Sequence, residues 1–154
     1  MDNQRQFCTF LLENYLFGVD VKQVQEVLRF QEQTSVPLAP AVIRGLINLR
    51  GEIVTAIDLR RRLQMSERAG DARPTNVIVR TGTETVSLLV DEIGEVVEVA
   101  DDLFEAPPDT VDGVARELIV GAYKLEGRLL LILDTEKTVN LDAGVYDRGV
   151  LHSR

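Results

Sequence analysis

The sequence predicts a mainly β protein made of two barrel-like subdomains packed on each other, with a few short helices. Three observations predict it. Short runs rich in Val, Ile, Leu and aromatic residues come in pairs, each pair joined by a tight polar turn. One such unit occurs twice: IRGLINLRGEIVTAIDL (Ile43 to Leu59) lies over IVGAYKLEGRLLLILDT (Ile119 to Thr135) without a gap. Helical periodicity is confined to brief stretches after the strand pairs.

Taken in order, Phe7 to Leu12 and Tyr15 to Val19 flank Glu13-Asn14, a two-residue hairpin loop in which Asn tolerates positive φ. Asp20 then offers an N-cap with Gln23 three residues on, and Val21, Val24, Val27 and Leu28 share one face of a short amphipathic helix. Pro37 and Pro40 interrupt regular structure, and Pro40 suits the first turn of a brief helix that Gly45 ends. Leu46 to Leu49 and Ile53 to Ile57 make a second hairpin around Arg50-Gly51, after which Asp58 caps a short helix through Leu63. The polar, breaker-rich QMSERAGDARPT reads as an exposed loop between two halves.

In the second half, Asn76 to Arg80 and Thr85 to Val90 form a third hairpin around Thr81 to Glu84, and Gly94 to Val99 reads as a strand with an acidic side. A loop carrying Pro107-Pro108 follows. Leu118 to Leu125 and Arg128 to Leu133 pair around Glu126-Gly127, and Asp134 caps a helix through Val139. Beyond Leu141 the patterning is weak, and residues 142–154 read as a mobile tail. In the repeat, Ile43 matches Ile119, Gly45 matches Gly121, Leu49 matches Leu125, Gly51 matches Gly127 and Asp58 matches Asp134. Each copy is preceded by a hairpin ending in Val-Asp, at Val19-Asp20 and Val90-Asp91. Open strand edges invite aggregation, so closure into small barrels is the natural outcome. The pattern leaves open whether each half folds by itself or the hairpins interleave.

Composition narrows the function. The 154-residue chain is 45% hydrophobic, enough for one sizeable core or two small ones sharing an interface. It contains no long apolar run and no apolar leader in MDNQRQ, which predicts a soluble cytoplasmic protein without direct membrane insertion. A net charge of −8 argues against nucleic-acid binding, and an oligonucleotide-binding barrel would also need aromatic platforms that five Phe, three Tyr and no Trp scarcely supply. The charge is uneven: residues 22–62 are mildly basic, whereas residues 91–117 hold ten carboxylates against Arg116 alone.

Chemistry is sparse. The single histidine, His152, lies third from the end, a poor place for a general base or metal ligand. Cys8 has Phe7 and Phe10 as neighbours, in what reads as a half-buried strand rather than around an activated thiol. CxxC, phosphate-loop, dinucleotide-binding and GxSxG patterns are missing from the sequence. Asp58 and Asp134 recur at equivalent strand ends, which duplication of a helix cap explains more simply than paired-carboxylate catalysis. The expectation is a protein that is not an enzyme and has neither cofactor nor metal site.

YLFGVDVKQVQEV, PAVIRGLINLRGEIVTAIDLR, VSLLVDEIGEVVEV and LIVGAYKLEGRLLLILDTEKTV together resemble the CheW family of coupling proteins in bacterial chemosensory arrays. The likeness runs from Phe7 to Leu141 in family order. It implies a single CheW-like domain over residues 1–154, with two small five-stranded SH3/OB-like barrels in a core of about residues 7–141. It implies a noncatalytic adaptor that links the cytoplasmic tip of methyl-accepting chemotaxis receptors to the regulatory domain of a CheA-type histidine kinase, recruited to membrane-bound receptor arrays. An adaptor of a related pathway controlling pili or gliding is the alternative. Matched by position, the partner-binding residues are Val24, Glu26 and Val27 on the first helix, Gly45, Asn48, Leu49, Arg50 and Gly51 at the NLRG hairpin, and Ile53 and Val54 on the following strand. The resemblance turns Val24 and Val27 toward the receptor tip and makes a Glu26–Arg50 pairing a reasonable expectation. Arg50 stands out, because a planar five-donor guanidinium is a common interface anchor.

Overall fold

The computed structural model describes residues 4–82, 84–111 and 113–141. Hairpin runs of alternating burial account for most of it. The first sheet contains β1 (Gln4–Leu12), β2 (Tyr15–Asp20), β8 (Glu92–Ala100), β9 (Ile119–Leu125) and β10 (Arg128–Leu133), in the order β8-β1-β2-β10-β9. The second contains β3 (Val24–Leu28), β4 (Ile43–Leu49), β5 (Glu52–Asp58), β6 (Thr75–Arg80) and β7 (Thr85–Val90), in the order β3-β6-β7-β5-β4. Short helices α1 (Leu59–Arg62), α2 (Gly113–Leu118) and α3 (Thr135–Val139) complete the description.

The sheet order answers the question that the sequence left open: the hairpins interleave. The β1–β2 hairpin that opens the first repeat pairs with β8 and, in parallel, with β10 of the second. The β6–β7 hairpin that opens the second repeat pairs with β3 and, in parallel, with β5 of the first. The chain passes between the sheets at Asp20 and Asp91, the two Val-Asp positions of the repeat.

Each sheet closes on itself. Thr34, downstream of β3, exchanges two 2.8 Å backbone hydrogen bonds with Leu46 of β4, and Glu105, downstream of β8, exchanges two of 2.9 Å with Ala122 of β9. This closure explains the repeated glycine. A Cβ placed at Gly45 or at Gly121 would lie 2.6 Å from the carbonyl oxygen of Thr34 or of Glu105, respectively. Only a residue without a side chain lets the closing segment pass.

Period-two alternation distributes side chains among three apolar clusters. From β1, Cys8, Phe10 and Leu12 enter the layer between the sheets, where they meet Ile57, Val77, Val79, Leu88 and Leu131. Phe7 points the other way, into the first barrel, with Leu16, Tyr123, Leu130 and Ile132. The second barrel is filled by Ile47, Leu49, Val54 and Ile78. Burying each of these larger side chains contributes about 1.5–3 kcal/mol, so the shared middle layer, the most populous, binds the barrels together. Arg62 adds a polar clasp: its guanidinium donates 2.8 Å bonds to the carbonyls of Thr138 and Lys137, satisfying the end of α3.

Four local expectations need correction. The helix proposed from Val21 is only a 3-10 turn, Val21–Gln23, capped by Asp20, and Val24 to Leu28 form the edge strand β3. A register shift between Val24 and Glu26 breaks the two-residue period, so β-branched residues in a strand acquired helix-like spacing. Residues 40–42 form turns rather than a helix, and β4 begins at Ile43, before Gly45. The first hairpin places Glu13, not Asn14, at positive φ (56°). Helix α2 was not foreseen at all. The expected mobile tail, and His152 with it, lie outside the described residues.

Candidate partner-binding surface

The tip between β4 and β5 is built by its own sequence. Arg50 and Gly51 both adopt positive φ, at 54° and 92°, the geometry that matches a two-residue turn to the twist of its strands. Asn48 Oδ1 accepts a 2.8 Å hydrogen bond from the Gly51 amide, which pins the turn from inside. Arg50 is exposed, and its guanidinium pairs with Glu26 on β3. That contact reaches from the tip to the opposite edge strand of the same sheet. The Arg50 hydrogen bond holds the Glu26 carboxyl below the usual carboxylate range, helped by Gln25 and opposed by partial desolvation.

The ten residues matched by sequence divide into four groups. Glu26, Asn48, Arg50 and Gly51 form the connected tip just described. Val27 and Ile53 present apolar surface, Ile53 at 60% exposure. Gly45, Leu49 and Val54 are buried, and the last two face the barrel interior, so they support the surface from beneath. Val24 packs toward the layer between the sheets rather than beside Val27 as an outward stripe. The helix face once expected of these two valines is therefore absent.

A second polar constellation escaped the sequence. Asp91, at one crossing between the sheets, accepts hydrogen bonds from the Glu13 amide (2.8 Å), Arg60 Nε (2.9 Å) and Arg68 Nε (2.9 Å). Arg68 Nη1 donates to the buried Asp58 at 2.7 Å and its Nη2 to the Leu89 carbonyl at 2.7 Å. Burial pushes the Asp91 carboxyl upward, but Arg60, the Glu13 amide and Arg68 outweigh it and leave the group below its ordinary value. The arginine run after Asp58 and the second Val-Asp pair were both visible, yet nothing local ties Arg60 to a carboxylate 31 positions away.

A depression of about 320 Å³ lies among Tyr15, Phe17, Leu63, Met65, Val114 and Leu131 and is mostly apolar. Among the described residues, no group of three or more His, Cys, Asp or Glu is placed to hold a metal ion. Nor is any described helix long and apolar enough to cross a membrane.

Two closed five-stranded sheets sharing a core, with an exposed structured tip, make a compact β scaffold. The CheW-like domain model matches residues 6–143, and the chain belongs to that family. It is 31% identical over 140 residues to the chemotaxis protein CheW of Treponema pallidum, covering 88% of this chain and 82% of that one. The crystal structure of the scaffolding protein TtCheW from Thermoanaerobacter tengcongensis superposes with a TM-score of 0.77 at 29% identity, covering 84% of this chain and 88% of that one. Protein FrzA of Myxococcus xanthus is 29% identical over 126 residues, covering 80% and 77%.

Proposed function

We propose that this chain couples the cytoplasmic tip of methyl-accepting chemoreceptors to the regulatory domain of a CheA-type histidine kinase, acting as one unit over about residues 7–141. It works in the cytoplasm and is recruited to membrane-bound receptor arrays. The observation that carries the reading is the tip itself: a turn held by Asn48, with an exposed Arg50 anchored to Glu26 and Ile53 laid bare beside it on β5. An ordered guanidinium next to apolar surface is the composition of an interface anchor. The partner-binding residues are Glu26, Val27, Asn48, Arg50, Gly51 and Ile53, with Val24, Gly45, Leu49 and Val54 shaping them.

The test is capture of a receptor fragment and of the kinase regulatory domain by wild-type protein and by Arg50→Glu. Capture of both partners by the wild type, and loss of one by a variant that still unfolds cooperatively, is the expected result. Failure of the wild type to capture either competent partner would overturn the reading. Similarity to a relative not named CheW supports a second reading, an adaptor of a chemosensory-like pathway with a pili or gliding output. Exchange of receptor and kinase fragments between pathways separates the two.

A further inference from the structure

We propose that the chain of ionic contacts Asp58–Arg68–Asp91–Arg60–Glu13 fixes the angle between the two barrels, and so sets how partner surfaces on one barrel are held relative to the other. This rests on the adaptor reading. Its members are positioning residues, acting through the barrels rather than by touching a partner.

Location is the first argument. Glu13 belongs to the β1–β2 turn of the first barrel, Asp58 and Leu89 belong to β5 and β7 of the second, and Asp91 sits where the chain passes from one to the other. Arg60 extends from α1 to Asp91 and also donates to the Ser66 carbonyl at 3.1 Å, while the Ser66 amide donates to Glu13 at 3.2 Å. Every element that meets at this crossing is therefore tied to Asp91 directly or through one intermediate. An apolar layer alone tolerates sliding, since hydrophobic attraction has no direction. Forked guanidinium contacts fix distance and angle together.

Asymmetry is the second argument. At the other crossing, Asp20 caps its own turn through the Lys22 amide at 2.9 Å, and its ion pair among the described residues is with the partly exposed Arg5, at 3.6 Å. In the aligned repeats Arg60 corresponds to Glu136, so the second copy lacks the cation that builds the clamp. Arg60 and Arg68 are largely shielded from solvent, as is Asp91, and salt screens such contacts little. Desolvation offsets much of the attraction in such a setting, so these pairs are assigned to arrangement rather than to net stability.

The experiment places spin labels on the exposed positions Arg80→Cys of β6 and Lys124→Cys of β9, in a Cys8→Ala background, and reads the distance between the barrels. Asp91→Asn removes the charge but keeps an acceptor for the Glu13 amide, Arg68→Lys keeps the charge but removes the fork, and Asp20→Asn is the control. Both clamp variants should broaden or shift the distance distribution, and Asp20→Asn should not. Each partner alone should bind within about twofold of wild type, while co-assembly of kinase domain on receptor fragments arrayed on a vesicle should fall about tenfold, because misaligned sites lose effective concentration. An unchanged distance in folded variants would overturn the proposal. So would loss of cooperative unfolding in both, which would make the network a stability element only. If wild type binds neither partner, the adaptor reading fails, and the distances still decide whether the clamp sets the angle.

Discussion

Arg50-Gly51 and Glu126-Gly127 occupy the same point in the two repeats, and the chain treats them differently. In the first tip both turn residues take positive φ, Asn48 holds the turn, and Arg50 is paired with Glu26 on β3. In the second, Gly127 alone takes positive φ (83°), and the position of Asn48 is filled by Lys124, whose contact with Glu105 is 3.8 Å long and exposed at both ends. Exposed pairs of that kind contribute little. The apolar neighbours, Ile53 and Leu129, are exposed in both copies. Duplication thus preserved the shelf and changed what stands on it. The same is true of the crossings, where Asp91 gained two arginines and Asp20 gained none that bind it closely.

The largest expected effect tests what the repeats share. Gly45→Ala and Gly121→Ala each drive a methyl group into the closing segment and should each cost about 2–3 kcal/mol in denaturant unfolding. Gly51→Ala, with open space around the added carbon, should cost only about 1 kcal/mol, from its positive φ. Equal losses at all three sites would show that closure is not what the paired glycines protect.

Next come the crossings. Asp91→Asn should destabilise by about 2 kcal/mol, because two guanidinium groups lose a shielded partner, whereas Asp20→Asn should change little, since Asn caps as well as Asp. The pH dependence sharpens this contrast. The Asp91 carboxyl titrates below its ordinary value when folded, so its stabilisation is complete above about 3.9, the unfolded pKa, and is lost as pH falls through the folded one. Thermal melts at falling pH should therefore show a shallower acid limb for Asp91→Asn than for wild type. Parallel limbs would contradict the charge assignment.

A smaller effect separates the helix ends. Gln64 closes α1 in the left-handed region (φ 60°), with its amide on Arg61 O and that of Met65 on Arg60 O, while its counterpart Asn140 closes α3 at −85°. Gln64→Gly should stabilise by about 0.5–1 kcal/mol and Asn140→Gly should not, as read by Tm. Smallest of all in stability is the exchange of tip charges. Arg50→Glu and Glu126→Arg should each move Tm by no more than a few degrees. Only the first should abolish capture of one partner; equal losses would mean that both tips face partners.

The strands other than β3, both repeated hairpins and the caps at Asp58 and Asp134 were legible because each is encoded within a few residues. The edge strand β3 was misread because a bulge gave Val24 and Val27 the spacing of a helix, and only pairing with β6 decides the matter. Helix α2 was missed because GVAREL is too short to show a period. At the site, Arg50, Asn48 and Gly51 announce themselves through turn chemistry. That Leu49 and Val54 point inward follows from the alternation, but which face is inside depends on the closure of the barrel. The clamp on Asp91 joins residues far apart in sequence, and no local signal foretells it.

The interleaved topology also orders events during synthesis. The second barrel draws all five of its strands from one continuous stretch, Val24 to Val90, and can close while the remainder is still being made. The β1–β2 hairpin, made before that stretch, must wait for β8 and β10, made after it, before its paired edges are occupied. Such distant pairing slows folding and leaves an apolar hairpin exposed in the interval. The N-terminal hairpin is therefore the segment on which a nascent chain of this architecture would first need protection.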